Sequence, residues 1–363
     1  MEKIIKLITA NGHGNGGHFY SCRTISEYLS NSFNIKVSSI GKGRSEVIET
    51  AHNFDQHFNT DNKIQFIKRI RMYLKEFDII HAYDEQSLSI AILFAPNKSK
   101  IAFTKCGGPN YMHQVRCNNM ICFSHENFSD QKEKKLRNVN LIPNRIPEED
   151  FQHTFYTPKI PEKIQIVRIG RISDYYEKSL RAGVALRNKL NDLGLSAEFT
   201  VIGVVESDAM HTMLKDCCTI INSEPKTVKD AVNHINSFDI VVGTGRSAVE
   251  AIARRKIVYL ATQHLHLPVL LTTTNIENAI DYNLSERTIF LTENTPQYKE
   301  LESRESFLKL FYSTTWQPFL KTRNVYSMHG IEARYKKFYG SCVSDHELTV
   351  RNLVHATRNL VHI

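Results

Sequence analysis

The sequence predicts an α/β protein built as two doubly wound, Rossmann-like lobes with a cleft between them, and three observations carry that prediction. The chain of 363 residues is too long for one ordinary core and suits two lobes of roughly 150–180 residues each. Short apolar, β-branched runs alternate with longer amphipathic stretches throughout, the pattern of parallel βαβ units. A proline-rich, weakly periodic segment, PNRIPEEDFQHTFYTPKIPEK at 143–163, divides the alternation into two series.

The first series opens with KIIKLITA at 3–10, followed by a helix-like stretch from about His18 to Phe33. IKVSSI at 35–40, FDIIHA at 77–82, KIAFT at 100–104, MICFS at 120–124 and VNLI at 139–142 complete a first lobe, placed at 1–150. The second series runs through IQIVRIG at 164–170, AEFTVIG at 197–203, CTIIN at 218–222, FDIVVG at 238–243 and KIVYLA at 256–261, giving a second lobe at 160–320. Residues 321–363 read as C-terminal helices that return toward the first lobe. One of them carries Val325, Met328, Ile331, Tyr335 and Phe338 at helical spacing.

Composition narrows the function classes. With 41% hydrophobic and 23% charged residues and ten prolines, nothing points to disorder or a fibrous array. No apolar run reaches the roughly 18 residues of a membrane span, and the N-terminus leads straight into a strand, so the expectation is a cytoplasmic protein. Seven scattered cysteines match neither a disulfide framework nor zinc spacing, and no metal or other cofactor is expected. The net charge of +8 favours anionic partners, but no nucleic-acid-binding signature accompanies it. KIQFIKRIRMYLKEF at 63–77 places Ile64, Ile67, Ile70, Tyr73 and Leu74 on one helical face among basic residues, which suits either packing on its own sheet or contact with an anionic membrane surface.

Open sheets of this kind bind ligands at the carboxyl ends of their strands, so the strand ends hold the candidate site residues. FDIVVG ends in GTGRS before the helix former AVEAIARR. Gly243 and Gly245 let the backbone approach a ligand, and the free N–H groups near Ser247 form an anion site at the helix start. Arg246 offers a forked cation to a phosphate, and Glu250 a hydroxyl acceptor to a ribose. Gly170 and Arg171 close the first strand of this lobe, Lys178 follows at the start of a helix, and Gly203 closes the next strand. Two cations at one strand end suit a departing nucleoside diphosphate, whose negative charge grows as it leaves.

The first lobe offers a glycine loop, GHGNGGH, with Gly16, Gly17 and the helix-starting His18. His81 and Asp84 lie just beyond a strand end, and Lys105, Gly107 and Gly108 beyond the next. Either Asp84 or His81 suits a base that deprotonates an acceptor hydroxyl, with His18 a further catalytic candidate, while a helix cap or a packed imidazole is the plainer role for each.

In order and spacing, these pieces resemble the GT-B-type glycosyltransferases, in particular the bacterial family 4 group that builds cell-surface polysaccharides. NGGHFYSCRTISEYL is similar to the group's first glycine loop and helix, FDIIHAYD to its D-I-I-H strand, and NLIPNRIP to its I-P-N-G hinge. IGRIS with the later EK resembles the G-R-L…K-G cation pair, and FDIVVGTGRSAVEAIARRKIVYL the donor-site strand, turn and E-A helix. The resemblance implies that Arg171 and Lys178 hold the diphosphate of a nucleotide-sugar, that Glu250 binds the ribose, and that the sugar passes to a saccharide or lipid-linked acceptor with retention. Three positions depart from the pattern. Val242 stands where many members carry a first glutamate, Ser179 replaces the glycine after the lysine, and Arg145 replaces the glycine of the hinge. A nucleotide-sugar epimerase of the same fold, or a non-catalytic nucleotide-sugar-binding protein, is the alternative reading.

Overall fold

The computed structural model describes residues 2–11, 14, 16–108, 115–151, 161–222, 231–290, 298–313, 316–344 and 354–358. The chain divides into two compact units, one of Met1–Arg145 with Met328–Ile363, the other of Ile146–Ser327.

The first unit is built on a seven-stranded sheet. Its strands are β1 (Lys3–Thr9), β2 (Asn34–Ile40), β3 (Phe54–Phe58), β4 (Ile79–Ala82), β5 (Lys100–Lys105), β6 (Asn119–Cys122) and β7 (Asn138–Leu141). They run in the order β3-β2-β1-β4-β5-β6-β7, every neighbouring pair parallel. Its main helices are α1 (Gly17–Leu29), α2 (Glu46–Glu49), α3 (Lys63–Leu74), α4 (Glu85–Phe94) and α5 (His125–Glu133).

Strand β1 shows why an almost wholly apolar run forms here, since helices cover both faces of the sheet. Ile4 and Ile8 pack with Phe19, Cys22 and Ile25 of α1, whereas Ile5 and Leu7 pack with Phe66, Ile70 and Leu74 of α3. Of the helical face foreseen over 63–77, Ile70, Tyr73 and Leu74 are buried and Ile67 packs partly, but Ile64 is 72% exposed. The sheet takes most of the apolar face of α3, and no helix among the described residues is long and apolar enough to cross a membrane.

The second unit has a six-stranded sheet of β8 (Ile164–Ile169), β9 (Ala197–Gly203), β10 (Thr219–Asn222), β11 (Ile240–Gly243), β12 (Ile257–Leu260) and β13 (Val269–Leu270). The order is β10-β9-β8-β11-β12-β13, parallel except for the antiparallel edge strand β13. Its helices are α6 (Glu177–Asp192), α7 (Asp208–Lys215), α8 (Ala231–His234), α9 (Arg246–Ala253), α10 (Ile276–Asp281), α11 (Arg304–Ser313) and α12 (Trp316–Tyr326). Leu180, Leu186 and Leu190 of α6 cover one face of β8, and Val249 and Ile252 of α9 join the core on the other. In each sheet the chain reverses its winding beside the first strand, at β1/β4 and at β8/β11. A doubly wound sheet exposes its ligand crevice at that reversal.

The single late helix expected from Val325 to Phe338 is two. Tyr326 ends α12, and α13 (Ile331–Gly340) starts after Gly330, whose φ of 69° no helix interior accepts. Tyr326 belongs to the core of the second unit, whereas Met328, Ile331, Tyr335 and Phe338 belong to that of the first. Of the final stretch, 354–358 is helical, and its neighbours lie outside the described residues, as do 152–160 of the proline-rich segment.

Candidate functional site

The carboxyl edge of the second sheet gathers most of the expected donor-binding residues. Strands β8 and β11 are direct neighbours, pairing Ile166 with Ile240 and Val167 with Val241, so the Gly170–Arg171 and Gly243–Ser247 turns leave the sheet side by side at the reversal. β9 lies on the other side of β8 and ends at Gly203. An ideal Cβ on Gly203 stands 1.9 Å from the Gly170 carbonyl oxygen, so the two strand ends touch backbone to backbone.

Gly245 is the N-cap of α9, with φ 56° and ψ −129°, a conformation that only glycine adopts cheaply. A Cβ there meets no atom within 4 Å, so the turn faces open space. No side chain caps the helix, and Val249 is the residue whose N–H returns to the Gly245 carbonyl, at 3.2 Å. Ser247 does not act as the cap. Its hydroxyl donates to the Thr244 carbonyl at 3.0 Å and accepts from the Thr244 N–H at 3.4 Å, which stiffens the turn instead.

The cations are held by identifiable partners. Lys178, one residue into α6, donates from Nζ to the Gln263 carbonyl at 2.8 Å. The Gln263 N–H donates to the Glu286 carbonyl at 2.8 Å, and the Gly245 N–H to that of Leu284. Lys178 and the glycine turn are therefore tied through the same loops. The Arg171 guanidinium is half-exposed, 5.4 Å from the Tyr176 ring centroid, and meets Glu206 at 3.4 Å. The structure thus brings Gly170, Arg171, Lys178, Gly203, Gly243 and Gly245 to one edge of one sheet.

Arg246 and Glu250 differ from their expected roles. They pair with each other, Nε to Oε1 at 2.7 Å, one turn apart on α9. Glu250 is buried, which raises its pKa above the ordinary carboxylate value; Arg246 and then Arg254 pull in the opposite direction. Arg254, in turn, holds Asp150 at 2.7 Å. The phosphate fork and the ribose acceptor are accordingly occupied by one another. Val242, on the partner position eight residues before Glu250, is fully buried in the core with Ile166 and Tyr259.

In the first unit the expected bases prove structural. His81 is fully buried on β4, with Nδ1 3.0 Å from the Tyr339 hydroxyl and Nε2 2.7 Å from the Thr104 hydroxyl. Burial, with the nearby Lys6 charge, lowers its basicity well below the usual histidine range. It is a satisfied core imidazole. Asp84 caps α4, accepting from the Ser87 N–H at 2.8 Å, while the Thr9 N–H and hydroxyl bind its two oxygens at 2.7 and 2.6 Å. Such a carboxylate holds β1 to β4. Lys105, expected beyond the strand end, is the last residue of β5 and only 4% exposed, and burial lowers its basicity.

His18 is half-buried at the second position of α1, with its ring centroid 4.4 Å from that of Phe19, just after Gly16 and Gly17. Gly12, His13 and Asn15 of that loop lie outside the described residues. Gly107 and Gly108 both have positive φ and open space around them, and residues 109–114 beyond them are not described.

Sequence reasoning missed Arg168, Tyr176 and Glu286. Arg168 was legible as the one charge inside the apolar strand IQIVRI, but nothing in the sequence tied it to Ser179 or Glu286. Among the described residues, no three His, Cys, Asp or Glu side chains converge as metal ligands, and all seven cysteines are free thiols.

No protein-family model and no curated protein matches the sequence. Solved structures match its fold. HepE of Anabaena, in complex with UDP, superposes with a TM-score of 0.64 at 10% identity, over 93% of this chain and 100% of that one. Staphylococcus aureus TarM, solved with fondaparinux, α-GlcNAc-glycerol and UDP, gives 0.63 at 10% identity, over 94% and 100%. The UDP-GlcNAc 2-epimerase of Neisseria meningitidis, bound to UDP-GlcNAc, gives 0.54 at 10% identity, over 93% and 99%. The chain therefore has the fold of the GT-B glycosyltransferases and their epimerase relatives, two Rossmann-like domains with parallel sheets.

Proposed function

We propose that the protein is a glycosyltransferase that binds the diphosphate of a nucleotide-sugar at the β8/β11 reversal of its second unit. One observation carries the reading. The uncapped N-terminus of α9, the open Gly245 turn and the cations Arg171 and Lys178 all belong to the strand ends of one winding reversal. A helix N-terminus with fixed cations beside it is a site for phosphate oxygens. As the glycosidic bond to the diphosphate breaks, the charge growing on the leaving oxygen meets donors already in place.

The acceptor in this reading is a saccharide or lipid-linked saccharide of a cell-surface polysaccharide, and the transfer a hexosyl transfer with retention. One observation favours retention. His81 and Asp84, the side chains that an inverting reaction would use as a base, are committed to Tyr339, Thr104, Thr9 and Ser87. In the retaining course the sugar carbon loses its bond to the diphosphate and gains one to the acceptor oxygen on the same face. The acceptor proton then passes to the departing diphosphate.

The epimerase reading has a fold match of its own, at a TM-score of 0.54. One assay separates the readings. The protein is incubated with UDP-, GDP- and ADP-sugars, with and without a saccharide-lipid extract, and free nucleoside diphosphate and sugar configuration are measured. Acceptor-dependent release is expected. Sugar isomerisation without acceptor contradicts the transferase reading in favour of an epimerase, and donor binding without turnover in favour of a non-catalytic binder.

A further inference from the structure

Beneath the Gly170 turn lies a charged group that the diphosphate reading does not use. Arg168, on β8, is only 3% exposed. Its Nε and Nη2 donate to the Ser179 hydroxyl at 3.1 and 2.8 Å, and that hydroxyl donates to the Tyr176 carbonyl at 2.9 Å. The guanidinium lies 5.2 Å from the Tyr176 ring centroid, the same ring that Arg171 approaches at 5.4 Å. Its third nitrogen, Nη1, is buried without a hydrogen-bond partner, 2.9 Å from where a Cβ on Gly170 would stand.

Leaving a guanidinium buried costs several kcal/mol unless its charge is balanced. The Glu286 charge acts against that cost, ahead of Tyr176, though burial still lowers the basicity of Arg168. Glu286 is itself part-buried, with Oε1 unpartnered, and burial raises its pKa while Ser179, Arg168 and Lys178 oppose the rise. The main chain at Glu286 accepts from Gln263, whose carbonyl in turn takes the Lys178 ammonium.

We propose, resting on the diphosphate reading above, that Arg168 is a positioning residue that joins Arg171 and Lys178 into one rigid phosphate-binding unit. It does so by gripping Ser179, next to Lys178, and by holding the Tyr176 ring on which Arg171 lies. Ser179 thereby gains a reason: a glycine at that position offers no acceptor for the buried guanidinium. The ligand affected is the diphosphate itself, whatever nucleoside it carries. Preorganised cations bind more tightly because less side-chain order is lost on binding.

The test is titration calorimetry of the full chain with UDP, GDP, ADP and inorganic diphosphate, using Arg168→Lys, Ser179→Ala, Lys178→Ala and the double variant Arg168→Lys/Lys178→Ala. Arg168→Lys keeps the charge but loses the fork, so binding of the nucleotide and of inorganic diphosphate should weaken together, by about tenfold or more. In the double variant the loss should fall short of the product of the two single losses by about threefold or more, as for groups acting as one unit. Arg168→Lys is checked for folding by circular dichroism. Should it fail to fold, Ser179→Ala, which leaves the buried cation in place, carries the test, with a loss of about threefold or more expected. Unchanged affinity in the folded variants, or losses that simply multiply, overturns the inference while the diphosphate reading stands. A wild-type chain that binds no nucleoside diphosphate overturns that reading and the inference with it.

Discussion

At the scale of single residues, two glycines of the site are required for different physical reasons. Gly203 is steric: a Cβ there stands 1.9 Å from the Gly170 carbonyl oxygen, which is backbone and cannot turn aside. Gly203→Ala should therefore destabilise the fold by about 1–3 kcal/mol. Because it pushes the β8 end outward, it should also weaken nucleotide binding, both readable from denaturant melts and titration. Gly245 is conformational: a Cβ has open space, and only the backbone angles resist it. Gly245→Ala should cost about 1 kcal/mol or somewhat more. Equal stability in wild type and Gly245→Ala would show that the turn relaxes freely and is not fixed for a ligand.

Arg246 and Glu250 show what single residues hid. Their spacing of four on a helix was legible, but the sequence offered a ligand to each and gave no sign that burial would make them partners. His81 is the converse case. A histidine in the run DIIHA reads equally as a core residue or a base, and only the pairing of β4 between β1 and β5 decides for the core.

At the scale of elements, nearly every strand of the two sheets was legible, because strands buried on both faces have continuous apolar sequences. β3 and β13 were not. β3, FDQHF, is an edge strand whose interior is polar, and β13 has two residues. Helix α13 was seen as the continuation of α12, since both carry apolar residues at the same spacing and Gly330 alone marks the break.

Where α13 packs on β1, its Tyr335 ring lies 5.2 Å from the ammonium of Lys6, which also donates to the Tyr83 hydroxyl at 3.2 Å. Lys6 is wholly buried, and burial pulls it from 10.5 down to about 8. The folded state therefore holds this proton less firmly than the unfolded chain. Below pH 8 both states are protonated and Lys6 opposes folding, by up to ~3 kcal/mol. From about pH 8 to 10.5 that penalty fades and its contribution to stability rises. Cys22, raised by burial to about 12, contributes in the opposite sense above its ordinary value of 9. Comparison with Lys6→Met isolates the lysine. The difference in melting stability, wild type minus variant, should increase from pH 8 toward pH 10, and a difference flat across that window would contradict a charged, buried Lys6.

At the scale of the whole molecule, two sheets of like winding were legible from the alternation of strands and helices and from the proline-rich break at 143–163. What the sequence could not supply is the registration that makes the second sheet's edge a site. Gly170 and Gly243 are 73 residues apart in the chain but leave adjacent strands, because β11 inserts next to β8. No sugar was legible for a local reason: Val242 is apolar core where a sugar-contacting carboxylate was looked for.

A crystal structure of the protein soaked with UDP tests the central claim most directly. The diphosphate is expected at the β8/β11 reversal, with Arg171 and Lys178 within hydrogen-bonding distance of its oxygens and the first N–H groups of α9 directed at it. A nucleotide bound elsewhere, with that edge of the sheet empty, would contradict it.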